Sequence, residues 1–423
     1  MKAKGIAKRD GARERGAEGA RRRLVVSFLI VGSVLAVALS SRAHEPITTK
    51  VRFNKEVIRI LQRSCLGCHR PGGIAFSLAT YDEARPWAKA IKEEVLEKRM
   101  PPWNSVKGYG EFRNAPPFTQ RDVDLLVNWV EGGAPKGDDK DSPEGPLFSD
   151  DWQLGKPDLV LKPEIASSID DEHRSVSFAP RLKEDRWLTA IDFKPGDSSV
   201  HCATFYLLQT DVASKPGEPV IDFIPVRLAT WMPGQKTVPY GDGVAQFLPA
   251  GSSIGVFVHY RDSEKADKDT SAVGLYFSKT PPRKRIQRLE VTGSDAIIPV
   301  GAEPHPFKAY LTLQNDSEAI AIRPCVNPLI VSLQATVYRP DGSREVLIWT
   351  RGYQSDWEPT YYFKRTVPLP AGTRVEVIAY FDNSEDNQNN PNNPPKPFRW
   401  SEPSPLCVLL GSVNISAADA ATR

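Results

Sequence analysis

The pattern of apolar and polar positions changes character once along the chain, near residue 158. Before that point apolar residues recur at helical spacing. Val57, Ile58, Leu61 and Cys65 share one face, Ala84, Ala88, Ile91 and Val95 a second, and Val123, Leu126, Trp129 and Val130 a third. The pattern predicts three helices. Asn54 is placed to cap the first, and Asp82 the second, with Pro86 tolerable in the first turn. Thr119 with Asp122 has the form of a capping box for the third, which Gly132-Gly133 closes. Arg70-Pro71-Gly72-Gly73 is read as a turn.

After residue 158 the period falls to two. Trp187 to Phe193, Thr204 to Gln209, Ser253 to Tyr260, Ala272 to Phe277, Val331 to Tyr338 and Arg374 to Phe381 are short and rich in β-branched and aromatic residues. Turn signals separate them, among them Pro195-Gly196-Asp197, Ala250-Gly251, Pro340-Asp341-Gly342 and Ala371-Gly372. Many short strands over a stretch of this length predict β-sandwiches, two in tandem with a boundary near 285. The expected organisation is multidomain: a small all-α domain over 50–137, a linker over 138–157 and two all-β sandwiches over 158–285 and 286–418. The linker is charged, rich in Pro and Gly, and without periodicity.

The first 43 residues read as an address. A basic run ends at Arg21 to Arg23, an apolar stretch follows from Leu24 to Leu39, and Ser41-Arg42-Ala43 offers small residues where a signal peptidase cleaves. A predominantly apolar run of sixteen residues is short of the ~20 that span a bilayer, so a cleaved export signal is expected. The alternative is an uncleaved anchor, in which case the protein is held at a membrane. Residues 1–43 hold ten of the 55 Lys/Arg and three of the 52 Asp/Glu. The remainder carries 45 and 49, a formal charge of −4 instead of +3. No basic stripe is left to suggest nucleic acid.

Candidate chemistry starts at Cys65-Leu66-Gly67-Cys68-His69. Two thiols two residues apart with a histidine directly after form the C-x-x-C-H signature of covalent haem c attachment. Each thiol adds to a haem vinyl group, and His69 is the expected proximal iron ligand. A thioredoxin-like dithiol or half a zinc site also begins with C-x-x-C. The following histidine, the export signal and the lack of a second Cys pair argue against both. The chain has three methionines, Met1, Met100 and Met232. Met100, in Arg99-Met100-Pro101-Pro102-Trp103, precedes two prolines that stiffen its loop, and a thioether commonly opposes His in electron-transfer haems. Met100 is therefore the expected sixth ligand. One-electron transfer with an unnamed redox-partner protein, in a periplasm-like compartment, is the expected role.

Residues 50–137 resemble a bacterial cytochrome c domain family. The resemblance rests on Cys-Leu-Gly-Cys-His-Arg-Pro-Gly-Gly, Ala84-Arg85-Pro86-Trp87 and Arg99-Met100-Pro101-Pro102-Trp103. It implies a small helical haem domain with His69 and Met100 axial. A second resemblance, over about 160–415, is to the copper type II, ascorbate-dependent monooxygenases. It is carried by Val200-His201-Cys202-Ala203, Trp231-Met232-Pro233-Gly234, Leu248-Pro249-Ala250-Gly251-Ser252, Val258-His259-Tyr260, Leu369-Pro370-Ala371-Gly372-Thr373 and Phe381-Asp382-Asn383-Ser384.

That likeness implies two jelly-roll domains of the peptidylglycine-hydroxylating type and two copper sites, from which this sequence departs. At the first site the family pattern falls on His201, Cys202 and His259, with a thiol replacing an imidazole. At the second it falls on Cys325, Asn327 and Val408, and counting agrees. After His259 the sole histidine is His305, and no methionine follows Met232, so a two-His-one-Met site cannot be built there. Two histidines and a thiolate remain a recognisable copper set, but His201 and Cys202 can share a metal only at a bulge or strand end. The other reading makes Cys202 a small buried residue. The same likeness brings Cys325 and Cys407 near one another, where an oxidising compartment would allow a disulfide.

Three readings therefore stand, the third being that the sandwiches recognise a carbohydrate or a partner protein. In the first, the β half is a degenerate docking platform behind an electron-transfer haem. In the second, the haem passes electrons to a mononuclear copper at His201, Cys202 and His259. Trp187, Trp231, Trp349 and Trp357 are candidate ligand-stacking residues or core. His44, His173 and His305 read as loop or terminal residues, and Asp386 to Pro395 as an exposed loop able to hold a cation weakly.

Overall fold

The computed structural model describes residues 48–145, 152–162, 165–168, 173–178, 182–208, 226–260, 270–293, 295–301, 304–325, 327–352, 357–400 and 405–415. The expected leader, with His44, lies outside them, and 165–168 and 173–178 are described in backbone alone. The chain is mostly β-sheet with a few short helices, and no helix among the described residues is long and apolar enough to cross a membrane.

The helical region begins with a wide π turn, Phe53–Val57, leading into α1 (Ile58–Ser64). Asn54 does not cap it. The backbone N–H groups of Phe53 and Asn54 donate to the carbonyls of Pro135 and Lys136, at 3.0 and 2.9 Å. The Asn54 amide then donates to the Asp138 carbonyl and to Asp139 Oδ1, at 3.1 and 3.0 Å. Asn54 thus ties the start of the predicted linker to α1. The next helix, α2 (Tyr81–Ala84), is capped by Thr80, two residues before the predicted Asp82. The Thr80 hydroxyl accepts from the Glu83 N–H while the Glu83 carboxylate accepts from the Thr80 N–H, leaving Asp82 in the first turn. Pro86 sits in a 3-10 turn, Arg85–Trp87, that leads into α3 (Ala88–Leu96). The predicted Thr119–Asp122 capping box opens α4 (Gln120–Glu131), and Gly132 ends it. Phe53, Leu61, Leu126 and Trp129 are buried at the centre of this region's own core.

The next strands are β1 (Leu159–Leu161), β2 (Ile165–Ser168), β3 (His173–Phe178), β4 (Arg186–Lys194), β5 (Val200–Leu208), β6 (Val226–Trp231), β7 (Val244–Leu248), β8 (Ser253–Tyr260) and β9 (Ala272–Phe277). They are followed by β10 (Lys284–Thr292), β11 (Ala296–Ile298), β12 (His305–Thr312), β13 (Ser317–Pro324), β14 (Ile330–Tyr338) and β15 (Arg344–Arg351). The last are β16 (Tyr361–Leu369), β17 (Arg374–Phe381), β18 (Phe398–Trp400) and β19 (Pro405–Asn414). Each predicted strand is present within a few residues of its expected bounds.

One eight-stranded sheet, in the order β1-β9-β4-β7-β10-β19-β13-β16, runs through both β regions. A five-stranded sheet, β2-β3-β8-β5-β6, shares a core with its first half, built around Phe193, Phe205, Val258 and Leu275. A four-stranded sheet, β12-β17-β14-β15, shares another with its second half, around Leu333, Val377, Phe381 and Leu409. The two halves join where β10 pairs in parallel with β7, Lys284 opposite Val244 and Arg285 opposite Ala245. The predicted boundary near 285 is thus a strand shared by both sandwiches.

Residues 103–114 leave the helical region altogether. Ser105 bridges Thr350 on β15 and Phe112 bridges Phe363 on β16, so this segment pairs with strands of the second sandwich. Phe112 is buried in that sandwich's core, with Trp103 packed against it.

Candidate functional site

Helix α1 ends at Ser64, and the Cys65-Leu66-Gly67-Cys68-His69 turn follows with Leu66 buried in the helical core. The Cys68 and His69 N–H groups both donate to the Cys65 carbonyl, at 3.1 and 3.0 Å, which folds the motif back on itself. Cys65, Cys68, His69 and Met100 all line one cavity of about 930 Å³. That size lies within the ~300–1,000 Å³ typical of small-molecule and cofactor sites. Leu61, Leu78, Ile91, Val95 and Leu126 give it an apolar wall.

The donor set suits a haem. His69 Nδ1 lies 3.0 Å from the Phe76 carbonyl oxygen. A carbonyl can only accept, so Nδ1 carries the hydrogen and Nε2 is left as the lone-pair donor, the orienting arrangement seen behind metal-bound histidines. Burial lowers the imidazole's proton affinity below its usual value, the Phe76 carbonyl opposing this, and a neutral ring is the ligating form. Burial, followed by the neighbouring Cys68, pushes the Cys65 thiol up to about 12. Phe76, Trp87 and Met100 are 46%, 43% and 39% exposed, unusually open for such side chains, and all three face this cavity. The Phe76 ring stacks on Trp87 at 4.1 Å and meets His69 edge-on at 4.8 Å. A flat apolar group seated there would cover all three.

Met100 is held from its N-terminal side. The Arg99 guanidinium donates two bonds to the Glu94 carboxylate, at 2.9 and 2.8 Å, and the Met100 N–H donates to the Glu94 carbonyl at 3.2 Å. The Arg99 hydrogen bond keeps the Glu94 carboxyl below its ordinary value.

The β half closes the cavity, which the sequence does not foretell. His201, Trp357 and Asn389 are part of its lining. The turn after β6 lies against the Cys68 thiol, with the Pro233 carbonyl 3.4 Å from Cys68 Sγ. Gly234, at φ 74°, comes so close that a Cβ there would stand 2.7 Å from that sulfur. The repeated Gly at 67 and 234 is a signal in hindsight, since each lets one backbone approach the other.

The three first-site positions occupy one corner of the five-stranded sheet. The register of β5 against β8 shifts between Val200 and Cys202, leaving His201 in the irregularity and Cys202 opposite His259. The irregularity that the His-Cys pair requires is therefore present. The His201 and His259 rings lie 5.1 Å apart, nearly perpendicular. Among the described residues, however, no group of three or more His, Cys, Asp or Glu side chains gathers as a metal site. His259 is also opposite His173 on β3 in register; the His173 side chain lies outside what is described.

The second-site positions hold neither His nor Met. Asn327 serves a turn, its side chain accepting from the Leu329 N–H at 2.9 Å, and Val408 is buried. Cys325 and Cys407 do lie on adjacent chain segments, the Cys325 N–H donating to the Leu406 carbonyl at 2.9 Å. Both are free thiols, not a disulfide. Burial pushes Cys325 up to about 11 and raises Cys407 well above its ordinary value. Beside them Arg323 is buried, its Nε lacking a hydrogen-bond partner among the described residues; burial and then Arg227 lower its proton affinity. Nothing in the sequence marked Arg323.

The remaining candidates take structural places. The amides of Asn383, Asn387 and Asn390 are spent on bonds within and around their own loop. Trp231 packs on Phe193 at 5.0 Å, and His305 is an exposed residue opening β12.

No family model matches the chain, and no curated protein does. Among solved structures, the infectious bursal disease virus VP2 subviral particle aligns at 12% identity, covering 66% of this chain and 78% of that one, with a TM-score of 0.20. Allantoicase from Saccharomyces cerevisiae aligns at 8% identity, covering 59% and 80%, with a TM-score of 0.19. Likenesses this distant carry no conclusion about fold or function.

Proposed function

We propose that this chain is an exported haem c protein that transfers single electrons, its helical region being a cytochrome c domain and its β half a degenerate copper-monooxygenase-like module used for docking. The observation that carries the reading is the meeting of Cys65, Cys68, His69 and Met100 at one largely apolar cavity. When bound, the haem supplies reversible Fe(II)/Fe(III) chemistry.

The chain's own residues do the rest. Cys65 and Cys68 offer the two thiols for attachment. The Phe76 carbonyl fixes His69 with Nε2 free for the iron, and the Glu94–Arg99 pair anchors the loop that carries Met100. The largely apolar wall, with the Met100 thioether as a ligand, favours a high potential. The test is an optical redox titration of protein matured in a haem-attaching host. A single reversible one-electron wave, lowered in Met100→Ala, is expected; a chain with no reversible wave contradicts the proposal.

A second reading makes the protein an oxidoreductase with a mononuclear copper at His201, Cys202 and His259. It is favoured by one observation, that His201 lines the haem cavity while its ring stands 5.1 Å from that of His259. The missing three-ligand cluster weighs against it. One copper per chain, lost in Cys202→Ala, would establish it; copper-free protein after copper exposure would dismiss it.

A further inference from the structure

We propose that the β half positions the axial sulfur, through residues 103–114, and that Phe112 and Asn114 are positioning residues for Met100. The inference rests on the haem reading above. Met100 is 39% exposed, so packing within the helical region does little to fix it. On one side it hangs from Glu94. On the other it continues through Pro101 and Pro102, which stiffen the backbone, into Trp103. Three residues span at most about 11 Å, so the tether has little slack.

From Trp103 onward the anchorage is in the β half, most of it in the second sandwich. Arg351 N–H donates to the Asn104 carbonyl at 3.1 Å and Val106 N–H to that of Trp349 at 2.7 Å, both on β15. On β16, Lys364 N–H donates to the Glu111 carbonyl and Arg113 N–H to that of Tyr362, each at 2.8 Å. The Asn114 side chain reads the same edge twice, donating to the Thr360 carbonyl at 2.8 Å and accepting from Tyr362 N–H at 3.0 Å. The Phe112 ring is 5% exposed, 5.2 Å from Tyr361 and 5.4 Å from Phe363. Trp103 meets Tyr361 edge-on at 4.7 Å. Arg113 reaches the first sandwich as well, donating to the carbonyls of Pro239 and Tyr240 at 2.7 and 3.2 Å. The segment that fixes Met100 from behind is therefore folded by the β half, through its pairing with β15 and β16.

The experiment compares full-length, haem-loaded Phe112→Ala, Phe112→Leu and Asn114→Ala with Val337→Ala. Val337 belongs to the same core but sits on β14, with which the segment does not pair. The readouts are the sulfur–iron charge-transfer absorption, the midpoint potential and carbon monoxide affinity. Phe112→Ala and Asn114→Ala are expected to lose sulfur–iron absorption, fall in potential and gain carbon monoxide affinity in proportion to the haem freed of sulfur. Phe112→Leu should restore most of the signal, and Val337→Ala should lower stability with the haem spectrum unchanged. Should Phe112→Ala fail to fold, Asn114→Ala, which empties no core, decides alone. Unchanged absorption and potential in the segment variants, on a chain with covalent haem, overturn this inference alone. A chain without covalent haem overturns the haem reading with it.

Discussion

The helical cavity and the β-sheet corner at His201 both hold residues that the sequence singles out as candidate metal ligands, yet the two places are built differently. In the first, each donor has a supporting partner: His69 has the Phe76 carbonyl, and Met100 has the Glu94–Arg99 anchor behind it. In the second, the backbone irregularity persists but no three-donor cluster forms among the described residues. The third set of positions, Cys325, Asn327 and Val408, holds a half-buried thiol, a turn amide and a buried apolar side chain. A strand irregularity is held by many backbone bonds and a metal site by three or four side chains, so the first can be present without the second.

The sharpest way to break this comparison is to remove the thiols of the helical site. Cys65→Ala with Cys68→Ala should abolish covalent haem completely, read by the mass of the intact chain, while far-ultraviolet dichroism of the β half stays as it was. Retained covalent haem would mean the cavity is not where it attaches.

Next in size is Trp129→Ala. Its ring is fully buried and its indole N–H donates to the Pro135 carbonyl at 3.1 Å. A loss of about 3–5 kcal/mol is expected, confined to the helical region and measured by urea unfolding with haem absorbance as the probe.

Gly234→Val tests the junction between the two regions. It places a β-branched residue at φ 74° with its Cβ against Cys68 Sγ. The expected cost is about 1–3 kcal/mol, together with a changed haem spectrum, because the turn is driven off the thioether side. A spectrum identical to that of the unaltered protein would separate the β half from the site.

The smallest effect belongs to the α4 cap. Thr119→Ala should cost about 1 kcal/mol. Burial pushes the Asp122 carboxyl up, but its bonds from Thr119 and Arg63 outweigh this and hold it below its ordinary value of 3.8. With the folded value depressed, the stabilisation is complete above 3.8 and is lost as pH falls through the folded value. The slope of stability against pH in that acid window should flatten in Asp122→Asn.

Local signals made much of this legible in the sequence. The Thr119–Asp122 box, the strands Ser253–Tyr260, Ala272–Phe277 and Arg374–Phe381, and the apolar faces of the helices are written in neighbouring residues. Long-range pairing was not legible. Asn54 has the right chemistry for a cap and is used instead to bind Asp138 and Asp139. The β7–β10 pairing that fuses the sandwiches joins residues 40 apart, and Phe112↔Phe363 joins residues about 250 apart. Periodicity carries no trace of either. Cys65, Cys68 and His69 were readable because they form one contiguous motif, and Met100 because it stands before two prolines, whereas the β-half lining of the same cavity, His201, Trp357 and Asn389, comes from three separate loops and strands.

The central claim is that Cys65 and Cys68 hold a haem covalently, and the most direct measurement is iron per chain on protein that has been unfolded and desalted after maturation in a haem-attaching host. One iron travelling with the unfolded polypeptide is the predicted result. Iron absent from the chain, or released on unfolding, would contradict it.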